Sequence, residues 1–209
     1  MFLDVGANTG FYAILAALSG AFEVRAYEPV PFIVDILKRN VEASLGVHQQ
    51  QLHVHALALS NQSGPTTIYM PDQGHGLVET SASLNSEFRE HQSGCFEIPC
   101  QTLDAHLESW PLPQQSLVLI KLDVETLEPQ VLIGAEQMIR RHRPWVVCKI
   151  LPGSDLHFYR QWMDEMGYRH YDLQPPNQVL LTPEIAASLS SRDHLFLPQE
   201  LSIQELLAS

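Results

Sequence analysis

The chain has little of several things that would define a specialised protein. It carries only three cysteines in 209 residues, Cys95, Cys100 and Cys148, and no CxxC pair. A sparse, odd set argues against a disulfide framework and for reduced thiols in a cytoplasmic protein. Lys and Arg number 12 against 24 Asp and Glu, a formal charge of −12. So acidic a chain lacks the basic face that gives affinity for nucleic acids or anionic lipids, so neither nucleic acid nor membrane is expected as a partner. No apolar run reaches the roughly 18 residues of a spanning helix. The start, MFLDVGANTG, has no basic region and apolar core of a secretory signal. A chain of this length buries about 70% of its unfolded surface. It is read as a single domain over residues 1–209 that needs neither disulfide nor metal to fold.

What is present alternates. Strand-like Met1–Val5, Glu23–Tyr27 and Leu52–Leu59 are separated by helix-like Phe11–Leu18 and Pro31–Leu45. In the second helix Ile33, Ile36, Leu37 and Val41 recur at helical spacing. Such alternation predicts an α/β fold with parallel strands and right-handed crossovers. Strand-like Thr66–Met70 and Phe96–Thr102 flank a polar loop insertion at about residues 71–94. A loop of that length suggests a lid over a site. Further strands are expected at Leu117–Val124, Trp145–Leu151, Tyr168–Leu173 and His194–Leu197. Helices are expected at Pro129–Arg141, Leu156–Met166 and, short, at Pro183–Leu189, with a C-terminal extension after about residue 198.

The strongest local signal is Asp4-Val5-Gly6-Ala7-Asn8-Thr9-Gly10, between a strand and a helix. Gly6 and Gly10 permit a sharp turn and close approach to a ligand. Glu28 ends the second strand, where an acidic residue of a parallel α/β sheet binds a ribose diol. The two residues converge on the crevice at the carboxyl ends of the strands. A dinucleotide fingerprint would have glycine two positions after Gly6, and this chain has Asn8. That disfavours an NAD-dependent oxidoreductase and permits a nucleoside cofactor without phosphates.

DVGANTGFY, YEPVPF, ALALSN, QTLDAHL and IKLDVETLEPQVLIGAE, in that order, resemble the FkbM-type family of S-adenosylmethionine-dependent methyltransferases. The resemblance covers about residues 2–173, with HLFLP as a last strand. It implies a Rossmann-like seven-stranded sheet, mostly parallel with an antiparallel last strand and helices on both faces. It implies S-adenosyl-L-methionine as cofactor, with Asp4, Gly6, Ala7, Asn8 and Gly10 along the methionine half. Glu28 and Pro29 then hold the ribose, and Ala58 lies near the adenine. Two positions depart from the family pattern. Thr126 stands where the family usually has Gly, and Lys149 where it tends to have an acidic residue. The chain also starts inside the first strand, without the covering helix the resemblance implies, so a truncated start is expected.

Lys121, Asp123 and Glu125 share one face of a strand by its period of two. They are the catalytic candidates, with a carboxylate positioned to orient or deprotonate a hydroxyl. The alternative is a Lys121–Asp123 ion pair at a strand end, with Glu125 and Glu128 as acids at a helix start. Two carboxylates without a third ligand make no convincing metal site. His75, in the loop, is a second candidate base. The expected activity is O-methylation of a small-molecule or sugar hydroxyl. A non-catalytic cofactor-binding module of the same fold is the alternative.

Overall fold

The computed structural model describes residues 1–46, 51–71, 92–113, 117–174, 178–182, 184–188 and 192–201. The amino-terminal half runs β1 (Phe2–Val5), α1 (Phe11–Leu18), β2 (Val24–Tyr27), α2 (Pro31–Leu45) and β3 (Leu52–His55). Then come β4 (Ala58–Leu59), β5 (Gly64–Pro71), β6 (Gln92–Gln101) and α3 (Leu103–Ser109). The remainder is β7 (Leu119–Leu122), α4 (Glu128–Ile133), α5 (Glu136–His142), β8 (Trp145–Lys149), α6 (Leu156–Met166), β9 (Tyr168–Gln174), β10 (Gln178–Leu181) and β11 (Asp193–Pro198).

The main sheet has the order β10-β9-β11-β8-β7-β1-β2-β3. β3, β2, β1, β7 and β8 pair in parallel, and β11 is antiparallel to both β8 and β9. These are the seven expected strands, and β10 adds an eighth by pairing antiparallel with β9. The period of two explains the two layers of helix. Leu3 and Val5 point into a cluster with Ile120, Leu122, Val131, Leu132 and Tyr159. Phe2, Val24 and Ala26 point the other way, onto Ala13, Ala17, Leu37 and Val41 of α1 and α2. The chain leaves β1 toward β2 and β3, then returns to place β7 on the other flank of β1. The carboxyl ends of β1 and β7 therefore form the topological switch point, where such sheets bind ligands.

Several sequence expectations change. The segment Leu52–Leu59 is not one strand. The Leu57 amide bonds the His55 carbonyl at 3.0 Å, turning the chain so that Ala58 pairs with Cys100 in a second sheet, β4-β6-β5. The segment 129–141 is two helices. A Cβ at Gly134 would overlap the Ser60 carbonyl oxygen, so the chain passes against the Ser60 backbone at the break. Asp104 accepts the Gln137 and Met138 amides, both at 2.9 Å, and starts α5 there. α3, absent from the sequence reading, begins at Thr102, whose hydroxyl accepts the Ala105 amide at 3.1 Å. Residues 184–188 are not helical. The Thr182 hydroxyl takes the Glu184 amide at 3.2 Å in a local turn that competes with a helix start. β5 and β6 extend to Pro71 and from Gln92, so the insertion is shorter than expected. His75 and the rest of 72–91 lie outside the described residues, as does most of the expected carboxyl-terminal extension. All three cysteines are free thiols. Among the described residues no helix is long and apolar enough to cross a membrane.

Candidate active site

The turn after β1 is built on left-handed backbone. Gly6, Asn8 and Gly10 have φ of 82°, 51° and 91°. The amides of Gly6 and Ala7 both donate to the Tyr27 carbonyl at 3.0 Å, tying the turn to the end of β2. Asn8 tolerates its conformation because its Oδ1 accepts the Thr9 amide at 2.7 Å. The residue that departs from the dinucleotide fingerprint thus does geometrically what glycine does there. A Cβ on Gly10 would overlap Leu37 Cδ1, so this glycine lets α1 and α2 approach.

Glu28 closes the turn from the next strand. Its Oε2 accepts the Asn8 amide and its Oε1 the Val30 amide, each at 2.9 Å. Each oxygen keeps a lone pair for a ligand hydroxyl. Burial pushes its carboxyl up to about 7, although the two amide bonds favour the charged form. Asp4 is buried beside it, only 1% exposed; the Ala13 amide faces its carboxyl, but neither oxygen has a hydrogen bond of good geometry in the chain. Burial raises Asp4 to about 6, while the Lys121 charge and the Ala13 amide pull the other way. An unmatched buried carboxyl is costly without a partner. Its natural complement is a cationic or hydrogen-bond-donating ligand group. Pro29 follows Glu28 half-buried, and Ala58 packs with Val30 and Ile33 in the cluster behind it.

Lys121 lies opposite Asp4 in the β1–β7 register. Its Nζ is 3.2 Å from Asp123 Oδ2 and 4.5 Å from the centre of the Tyr12 ring. Asp123 Oδ1 meets Lys149 Nζ at 2.8 Å, and Lys149 also reaches Glu125 Oε1 at 3.3 Å. The expected Lys121–Asp123 pair is present, but as one end of an alternating chain of four charges. Lys149 and Tyr12 belong to this cluster, and the sequence reading had not placed them among the site residues. Lys149 was visible as a charge at the end of an apolar strand. Its contact with Asp123 depends on β8 lying beside β7, which spacing alone does not show. Among the described residues no group of three or more His, Cys, Asp or Glu side chains is placed to hold a metal.

The β7–α4 turn is strained. Glu125 and Thr126 have φ of 53° and 78°, and the Thr126 hydroxyl is buried without a hydrogen-bond partner. A β-branched residue takes such a backbone only at a cost, and Thr126, standing where the family usually has Gly, takes it here. We expect Thr126→Gly to stabilise the protein by about 1 kcal/mol, because the left-handed conformation is costly for a β-branched residue. Thermal unfolding would show a rise of about 2–4 °C. An unchanged or lower midpoint would mean that the turn carries no such strain.

Residues 4–170 match the Methyltransferase FkbM domain family. No curated protein matches the chain in sequence. Among solved structures, the methyltransferase FkbM of Methylobacillus flagellatus KT superposes with a TM-score of 0.58 at 15% identity, over 94% of this chain and 42% of that one. The METTL16 methyltransferase domain gives 0.53 at 12% identity, over 96% and 60%. A Streptococcus pneumoniae protein described as a candidate tRNA (m1A22) methyltransferase gives 0.51 at 14%, over 99% and 68%. The chain spans less than half the length of the M. flagellatus protein. At these identities the structural likeness shows the Rossmann-like methyltransferase fold and no more. The domain match, covering most of the chain, shows more than the fold: this protein belongs to the FkbM methyltransferase-domain family.

Proposed function

We propose that the protein binds S-adenosyl-L-methionine at the ends of β1 and β2 and transfers its methyl group to a hydroxyl oxygen of a small molecule or sugar. The observation that carries this reading is Asp4, a buried carboxyl without a hydrogen bond of good geometry, beside Glu28 across a glycine-built turn. These residues fit the cofactor. Glu28 would accept the ribose hydroxyls, Asp4 would meet the methionine ammonium, and Gly6, Ala7, Asn8 and Gly10 would leave room for backbone contact. Pro29 and Ala58 would border the nucleoside. The cofactor supplies an electrophilic methyl on a sulfonium. The chain supplies position and a route for the proton, and positioning alone contributes several kcal/mol.

Asp123 is the group we assign to the acceptor hydroxyl. Two ammonium groups hold it, and its remaining lone pairs can accept a hydrogen bond. Asp123→Asn is expected to lower single-turnover methyl transfer by about 10²–10⁴-fold. Affinity for S-adenosylhomocysteine should change little, the mark of a group acting in the transition state. A folded Asp123→Asn variant with parental turnover removes Asp123 from the chemistry. Glu125 and Lys121 would orient Asp123 and the acceptor.

The charge of −12 supports a small acceptor over a nucleic acid. Lys149 favours a second reading, donor binding without transfer, because it engages both Asp123 and Glu125. Calorimetry with S-adenosylhomocysteine and NAD tests the cofactor. Incubation with methyl-labelled S-adenosylmethionine and a panel of hydroxylated small molecules, sugars and RNA tests the rest. Binding of the homocysteine product with no labelled acceptor across the panel would favour the second reading. Labelled RNA alone would overturn the small-molecule acceptor.

A further inference from the structure

The turn from Asp123 to Leu127 carries both acceptor-side carboxylates, yet it is an unfavourable piece of backbone. Two successive non-glycine residues, Glu125 and Thr126, are left-handed. Its start is fixed by the Asp123 amide on the Val5 carbonyl at 3.0 Å. Its end is fixed by the Gln130 and Val131 amides on the Leu127 carbonyl, at 3.1 and 3.2 Å. Its middle is held by Glu128, whose Oε1 accepts the Val124 amide at 2.8 Å. On the other side the Asp123–Val124 backbone lies against Gly6, with Val124 Cγ1 3.3 Å from where a Gly6 Cβ would sit.

Glu128 is badly placed for any other task. It is only 1% exposed, and its Oε2 has no hydrogen-bond partner in the chain. Its charge is felt by Cys148 and Tyr159, both fully buried in the core. A carboxyl in that setting is costly. A neutral side chain of the same shape would make the same bond to Val124.

We infer that Glu128 is a positioning residue, which holds the Val124 amide and thereby fixes the turn that presents Asp123 and Glu125 to the acceptor. The inference rests on the proposed reading of this strand end as the acceptor side of a methyltransferase. Glu128 touches neither donor nor acceptor, and it acts through the backbone of Val124. The carbonyl oxygen does the holding, so the amide of glutamine replaces it and the methyl of alanine does not.

The test compares Glu128→Gln, Glu128→Ala and the double variant Thr126→Gly/Glu128→Ala. Each is measured by amide hydrogen exchange, by calorimetry with S-adenosylhomocysteine, and by transfer from S-adenosylmethionine to the best acceptor of the panel. In Glu128→Ala the Val124 amide should exchange at least about tenfold faster, with Leu119–Leu122 at parental rates. Its product affinity should stay within about threefold of parent while its turnover falls by about 100-fold, as for a misplaced reacting group. Glu128→Gln should match the parent in all three. The double variant should recover part of the turnover, because glycine holds the turn without strain. Glu128→Gln behaving like Glu128→Ala would overturn the inference. So would an unchanged Val124 amide, or equal loosening of all of β7 with parallel loss of product binding. If Glu128→Ala does not fold, the glutamine and double variants decide. A parent that transfers to no acceptor, with the local exchange pattern intact, would retain the clamp and overturn the methyl-transfer reading.

Discussion

A Gly6→Ala variant should lose saturable binding of S-adenosylhomocysteine and unfold at a clearly lower temperature. Two independent effects act on one atom. At φ 82° an L side chain is strained, by about 1–2 kcal/mol. The added Cβ would also overlap the Asp123 carbonyl oxygen and stand 2.9 Å from its carbon. That neighbour is backbone and cannot turn aside. The Asp123 amide bonds Val5 and its carboxylate bonds two lysines. Relief has to come from shifting the strand ends apart, which adds about 1–3 kcal/mol as overpacking does. Gly20→Ala is the internal control, since Gly20 has φ 92° and open space around its would-be Cβ. It should show the conformational cost alone and bind normally. Equal behaviour of the two alanine variants in calorimetry and thermal unfolding would sink the claim that Gly6 separates the strand ends.

Affinity for S-adenosylhomocysteine should fall steeply as pH drops from 8 to 5. Glu28, raised to about 7, and Asp4, raised to about 6, are both best suited to the ligand when ionised. If binding requires the charged forms, protonation at pH 5 weakens it by about 100-fold through Glu28 and about tenfold through Asp4. Glu28→Gln should bind more weakly at pH 8 and lose most of the pH slope. Affinities at pH 5 and pH 8 within about threefold of each other would contradict the assignment. For the ligand-free protein the sign reverses. The folded chain keeps protons on these carboxyls that the unfolded chain releases above about pH 4. Their contribution to stability is full below the unfolded values and is lost as pH rises through 6 to 7. His55 and His194, lowered to about 4 by burial, oppose this, because folding keeps them neutral while the unfolded chain takes up protons below about 6.5.

The parallel strands and their helices were legible because their signals are local. Leu3 and Val5 alternate with Phe2 and Asp4, and Ile33, Leu37 and Val41 are buried along one helix. Glu28 was legible from its place at a strand end. What the sequence hid were contacts between elements distant along the chain. The break at Gly134 is due to the Ser60 backbone, and the start of α5 to Asp104, neither of which is a neighbour in sequence. β10 was missed because Gln178–Leu181 is only four residues long and lacks the apolar–polar alternation that marks a strand. Lys149 looked like a departure from the family pattern, and its role as the second partner of Asp123 follows from the β7–β8 register.

The alternating row Lys121, Asp123, Lys149, Glu125 sums to zero charge in a chain whose total is −12. Opposite charges about 3 Å apart cancel within a distance far shorter than the screening length of physiological salt, about 8 Å. Within that row each charge is matched by a neighbour, so an acceptor hydroxyl would meet paired groups there and no bare lysine or carboxylate. An acceptor would be captured on collision, by fit and by exchange of hydrogen bonds with paired groups. A neutral polyhydroxylated surface can make that exchange without leaving either a lysine or a carboxylate bare.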